Sequence, residues 1–155
     1  MDPMQAFIDR YDIEQRYIRY CELIDHGKQF DAMNEVFTRD TRGEYAQYGA
    51  VISGVDRLIA AMQHNLGAGS NCGATQHNVN NFRIAIDGDR ARGRCHFHAV
   101  HQGLHRYAGQ IYSMWGEYED DWIRGEEGWR VTRRVYHVFL TEGPAEIVTR
   151  DAQPV

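Results

Sequence analysis

Apolar positions in the first third of the chain recur at helical spacing. Tyr17, Cys21 and Ile24 fall at i, i+4 and i+7 with Tyr20 beside them, which predicts an amphipathic helix from about Ile8 to His26 that stops near Gly27. Asp9 or Asp12 can cap its start. A second, short helix is predicted over Phe30 to Phe37, with Asp31 near its beginning. The period then changes. Thr41 to Ile52 has the aromatic and β-branched content of a strand, weakened by Gly43 and Gly49, and Ser53-Gly54 ends it. Gly54 to Leu66 returns to helical spacing, with Val55, Leu58, Ile59 and Met62 on one stripe, and GAGSNCGAT follows as a polar, glycine-rich loop.

After Thr75 the pattern is one of strands and turns. Gln76 to Ile86 is closed by Asp87-Gly88-Asp89, and Arg90 to Gln102 follows. In that strand Ala91, Gly93, Cys95, Phe97 and Ala99 share one face, suited to an interior, while Arg92, Arg94, His96 and His98 share the other. Tyr107 to Ile123 is a long strand in which Ser113 and Trp115 lie on one face and Gln110, Tyr112 and Met114 on the other; a single bulge would exchange the two. The turn from Arg124 to Gly128 leads into Trp129 to Thr141, and Pro144 with the tail after it reads as peripheral. Three N-terminal helices followed by an antiparallel meander predict a single α+β domain over residues 1–155. A curved sheet covered by helices on its concave side leaves a cone-shaped barrel whose interior suits a small, mostly apolar molecule.

Composition adds limits. The 155 residues are 25% charged and 43% hydrophobic, with a net charge of −5 and no basic cluster, so neither nucleic acid nor an anionic membrane is indicated as a partner. The N-terminus MDPMQAFIDRYD has no basic segment followed by an apolar run, and no stretch approaches the roughly 20 apolar residues of a spanning helix. A soluble, cytoplasmic protein is expected. Cys21, Cys72 and Cys95 are odd in number and lack C-x-x-C spacing, which predicts free thiols rather than a disulfide framework or a zinc site.

Candidate chemistry begins with Asp25. The last turn of a helix carries partial negative charge from unpaired carbonyls, so a carboxylate there either points into water or holds a cationic or donor group from elsewhere. Of the eight histidines, His26, His64 and His105 fall at helix ends or turns. His96 and His98 at i, i+2 have no third ligand at matching spacing, so no metal is predicted. His101 lies on the expected inner face and His137 on the last strand; for each, a satisfied structural role is the commoner arrangement. His77 opens the first meander strand in TQHNVNNFRIAIDGDRARG, where a strand end would meet the cone mouth and the end of the first helix. Asp25 could then accept from one ring nitrogen and leave the other as a base. From the residues alone, two unconnected side chains are the more frequent outcome.

The segments YIRYCELIDHGKQFDAMNEVF, ISGVDRLIAAM, TQHNVNNFRIAIDGDRARG and GWRVTRRVYHVFL resemble the NTF2-like superfamily in its SnoaL-like branch, over about Asp9 to Leu140. Within it the chain is most similar to scytalone dehydratases, bile-acid 7α-dehydratases and hexachlorocyclohexane dehydrochlorinases. The resemblance implies an Asp–His dyad at Asp25 and His77, a functional tyrosine at Tyr20, a carbonyl-polarising tyrosine at Tyr45 (with Tyr48 competing) and a pocket arginine at Arg134. Phe97, Tyr112 and His101 are the further candidates for substrate contact. The second histidine and the Ser/Asn pair of scytalone dehydratases have no counterpart in clear register here, the candidates being His98 or His101, and Ser113. The implied activity is a cofactor-independent lyase, dehydratase-like, acting on a small cyclic, moderately apolar substrate. Two alternatives stay open. One is a polyketide-cyclase-like or ketosteroid-isomerase-like enzyme, favoured by a strand aspartate deep in the pocket. The other is a non-catalytic subunit resembling the β subunit of ring-hydroxylating dioxygenases. A homo-oligomer, a trimer as first expectation, is implied by the family.

Overall fold

Helix α1 (Pro3–Asp25) begins earlier than its apolar period suggests, because the cap is Asp2, whose carboxylate accepts from the Met4 N–H at 3.2 Å, with proline in the first turn. Met4, Phe7 and Ile8 in those first turns are exposed and contribute nothing to the buried stripe. Asp9 is not a cap: it is buried and accepts from Arg124 (2.7 Å) and the Trp129 indole (3.2 Å). The computed structural model describes residues 2–46 and 49–150, so Tyr48 lies outside the described residues. A 3-10 turn at Phe30–Glu35 takes the place of the expected second helix, and helix α2 (Val55–Leu66) is the third.

The segment expected as one strand from Thr41 to Ile52 is two. β1 (Phe37–Tyr45) and β2 (Ala50–Ser53) pair antiparallel, with Gly49 at φ +61° in the reversal between them. The meander follows as β3 (Cys72–Asp87), β4 (Arg90–Gly103), β5 (Ile111–Gly125) and β6 (Gly128–Glu142). β5 starts at Ile111 rather than Tyr107 because His105–Tyr107 forms a 3-10 turn. The six strands make one sheet in the order β2-β1-β6-β5-β4-β3. β2 and β3 are its edges, so the sheet is curved and unclosed rather than a barrel. Every neighbouring pair is antiparallel except β1 and β6, which run parallel.

α1 crosses the concave face and buries Ile13, Tyr17, Tyr20, Leu23 and Ile24 against the inward residues of the sheet. The alternation in β4 holds, with Ala91, Cys95, Phe97, Ala99 and His101 buried and Arg92, Arg94 and His96 exposed. β5 sends Tyr112, Met114, Tyr118, Asp120 and Trp122 inward. Gly116 faces Phe97 across the β4–β5 pair, at a register shift against β6. A Cβ there would stand 2.7 Å from the Phe97 ring and would also collide with the His137 carbonyl, so only glycine leaves Phe97 room to lie flat. The described part of the tail, through residue 150, is not peripheral: Ile147 is fully buried and Val148 nearly so. Cys21, Cys72 and Cys95 are free and buried. Burial pushes the Cys21 thiol up to about 12 and Cys95 higher still, which leaves neither as a nucleophile near neutral pH. Among the described residues no helix is long and apolar enough to cross a membrane.

Candidate functional site

Asp25 is the last residue of α1, and the chain reverses directly after it through Gly27 (φ +87°) and Lys28 (φ +54°). The Lys28 ammonium then donates to the carbonyls of Leu66 and Cys72, the latter at 2.8 Å. One side chain thereby ties the end of α1 to the end of α2 and the start of β3. That junction brings Thr75 and His77 onto Asp25. The Thr75 hydroxyl donates to Oδ1 at 2.7 Å, the His77 main-chain N–H to Oδ2 at 2.6 Å, and His77 Nδ1 to Oδ1 at 2.7 Å. Three donors replace what the helix end withholds from a carboxylate. Burial opposes ionisation of Asp25, but the bond and charge of the His77 ring, its main-chain N–H and Thr75 together outweigh it, and the pKa lies below its ordinary value. A carboxylate only accepts, so the neutral His77 ring carries its proton on Nδ1 and has its lone pair on Nε2.

His77 lines a cavity of about 290 Å³ between the sheet and the two helices. The apolar wall is Ile24, Ile52, Leu58, Met62 and Met114, and the aromatic wall is Tyr20, Tyr45, Tyr118 and Tyr136. Asn65, Val148 and Thr149 also line it. His101 lies beside His77, ring centroids 5.4 Å apart and planes at 90°. Its Nδ1 donates to the Tyr112 carbonyl at 3.2 Å, which fixes the lone pair on Nε2. Burial, reinforced by the charge of His77, lowers the His101 pKa to about 4, so the ring is neutral near pH 7. Burial raises the Tyr45 and Tyr20 pKa values, and both stay phenols.

Of the predicted site residues, His77, Asp25, Tyr20, Tyr45 and His101 meet at or directly behind this cavity. Arg134, Phe97 and Tyr112, expected to touch substrate, stand one layer back. Phe97 stacks on Tyr118 (4.6 Å) and Tyr136 (4.9 Å), and those two rings, not Phe97, form the wall. Tyr112 supplies its main-chain carbonyl to His101. Arg134 makes two bonds to Asp120, 2.8 and 2.7 Å, beneath the aromatic wall. Burial pushes the Asp120 carboxyl up from its ordinary range and Arg134 pulls it partly back; at Arg134 the ion pair outweighs burial and holds the charge. On the outer face His137 bonds Glu119 (3.0 Å), and His98 stacks on Trp115 (4.7 Å). Sequence reasoning missed Tyr118, Tyr136, Asn65 and the tail residues Val148 and Thr149. Tyr118 shares the inward parity of Tyr112 and Met114 and was findable by that signal; the tail has no periodicity to read.

The model of the SnoaL-like domain matches residues 5–135. An uncharacterized protein of Mycobacterium tuberculosis, Rv2910c, is 32% identical over 129 residues, covering 82% of this chain and 83% of the relative. Two solved structures share the fold. A candidate scytalone dehydratase from Novosphingobium aromaticivorans superposes with a TM-score of 0.79 at 19% identity, over 90% of this chain and 89% of that one. A hexachlorocyclohexane dehydrochlorinase, LinA type 2, superposes with a TM-score of 0.77 at 13% identity, over 92% and 93%. With the family model matched over residues 5–135, most of its length, the chain belongs to the SnoaL-like domain family.

Proposed function

We propose that the protein is a cofactor-independent lyase that starts its reaction with His77. The observation that carries this reading is the Nδ1 bond from His77 to Asp25 in a ring that also borders a small, mostly apolar cavity. His77 Nε2 takes a proton from a carbon beside an activating group such as a carbonyl. The electron pair then expels a leaving group, hydroxide in a dehydration, from the neighbouring carbon. Asp25 fixes the tautomer and stabilises the imidazolium, and Tyr20 or Tyr45 donates to the oxyanion that develops. Neutral His101 offers an acceptor nitrogen for a substrate hydroxyl. The cavity volume and its aromatic wall fit a small cyclic, moderately apolar substrate. The fold is shared with a candidate dehydratase and with a dehydrochlorinase, which supports elimination as the reaction type.

A cyclase-like or isomerase-like reaction would call for a strand carboxylate as base. The inward strand carboxylate here, Asp120, is held by Arg134 behind the wall, which favours the lyase. A homo-oligomer, trimeric in the first instance, is proposed for the outer sheet face bearing Arg92, Arg94 and His96; a stable monomer in sedimentation at micromolar concentration rejects it. The test of the lyase is turnover on a panel of cyclic hydroxy-ketones. His77→Ala is expected to lose about 100- to 10,000-fold, the usual contribution of a general base. A folded His77→Ala protein with undiminished turnover rejects the assignment.

A further inference from the structure

The aromatic wall of the cavity conceals a charge. Arg134 on β6 and Asp120 on β5 are cross-strand partners, with side chains 2% and 0% exposed. The two bonds to Asp120 use Nε and Nη2, and Nη1 is buried with no hydrogen-bond partner among the described residues. What the guanidinium meets instead is rings. Its central carbon lies 4.2 Å from the centroid of Tyr118 and 4.5 Å from that of Tyr20, with Phe37 at 5.1 Å. Tyr118 and Tyr20 line the cavity, whereas Arg134 does not.

A cation within about 6 Å of a ring centroid is attracted by the ring electrons and draws on them. A phenol so polarised is a stronger donor, and the dry surroundings preserve the effect. At Tyr20 burial pushes the pKa up and Arg134 is the largest influence in the opposite direction. The grip of Asp120 keeps the guanidinium from swinging forward to pair with a ligand, so its influence reaches the cavity only through the rings.

We propose that Arg134, clamped by Asp120 behind Tyr20 and Tyr118, is a positioning residue that sharpens these phenols as donors and makes the cavity select planar oxyanions, enolates or phenolates, over their neutral forms. The role assigned to the oxyanion rests on the lyase reading. The selectivity itself is a binding property and is read without turnover.

The probe is 4-nitrophenol, whose neutral and ionised forms differ in absorbance. The wild type is expected to bind it as the phenolate, with its apparent pKa lowered by about one unit, a tenfold preference. Arg134→Met alone strands a buried carboxylate, so the informative protein is Asp120→Leu with Arg134→Met, an apolar replacement of the kind buried ion pairs tolerate. Folded, it is expected to bind nitrophenol with that preference lost by about tenfold. A double variant with the wild-type spectrum overturns the proposal. So does a wild type that binds only the neutral form or none, and so does loss of the preference in His77→Gln alone, which would trace it to the histidine. Absence of turnover on every hydroxy-ketone would remove the lyase reading and leave this measurement standing.

Discussion

Asp25 holds His77 twice, taking the ring Nδ1 on one oxygen at 2.7 Å and the main-chain N–H on the other at 2.6 Å. The bidentate hold fixes the position of the ring as well as its tautomer. Asp25→Asn keeps the shape and replaces an acceptor with an amide able to donate. Turnover is expected to fall by at least about 100-fold, with the KM changed far less than kcat. Steady-state kinetics on the best hydroxy-ketone decides it; unchanged kcat would separate Asp25 from the chemistry.

The same carboxylate sets an acid limit on stability. Its pKa is lower in the folded state than in the unfolded chain, so its contribution is complete above the ordinary carboxylate value of about 3.9 and is lost as pH falls through the lower folded value. Melting temperatures between pH 5 and pH 2 should drop more steeply in the wild type than in Asp25→Asn. Parallel curves would contradict the shift.

His101 acts with the opposite sign from a paired histidine. Folded, its pKa is about 4; unfolded, it is close to 6.5, so between these values the unfolded chain binds more protons. Stability should therefore decline as pH is lowered from about 6.5 to 4, and His101→Gln should flatten that part of the curve. Nitrogen-detected NMR should find a neutral ring at pH 6 with its proton on Nδ1. An imidazolium at pH 6 would refute this.

Thr75 donates to the same Asp25 oxygen as the His77 ring. Thr75→Val removes that competitor and leaves more negative charge facing the ring. Losing that donor lets the Asp25 pKa rise toward its ordinary value, so the fall in melting temperature between pH 5 and pH 2 is expected to be shallower than in the wild type, with the fold intact. A profile superimposable on the wild type would reduce Thr75 to a packing role.

Gly116 makes space for Phe97, which in turn backs Tyr118 and Tyr136. Gly116→Ala is expected to cost about 1–3 kcal/mol through overpacking. Denaturant unfolding measures the cost, and weaker nitrophenol binding would report the displaced wall.

The residues differ in how much of this they announce. α2 was legible because Val55, Leu58 and Met62 are buried in step with the helical period, and β4 because its two faces separate cleanly. The start of α1 was not, since its cap, Asp2, precedes any buried apolar residue. The β1–β2 reversal was hidden in a stretch whose aromatic content suits a strand throughout. Asp25 and His77 lie 52 positions apart, and nothing local links them; the family resemblance did. Strand parity told which side chains of β4 and β5 point inward, yet not which reach the cavity. Phe97 and Tyr118 both point inward, and only the stacking order puts one on the surface and the other behind it.

Lys28 does not line the cavity, but its two carbonyl contacts tie the turn after α1 to the end of α2 and the start of β3. Loss of that tie is expected to loosen the neighbouring start of β3, where Thr75 and His77 meet Asp25. In native-state hydrogen exchange the amides around Leu66, Cys72 and His77 should open as one cooperative unit, ahead of the central β4–β5–β6 ladder. On this expectation the Asp25–His77 arrangement comes apart in a single local event while most of the sheet remains, and one ammonium's grip on two carbonyls decides how often.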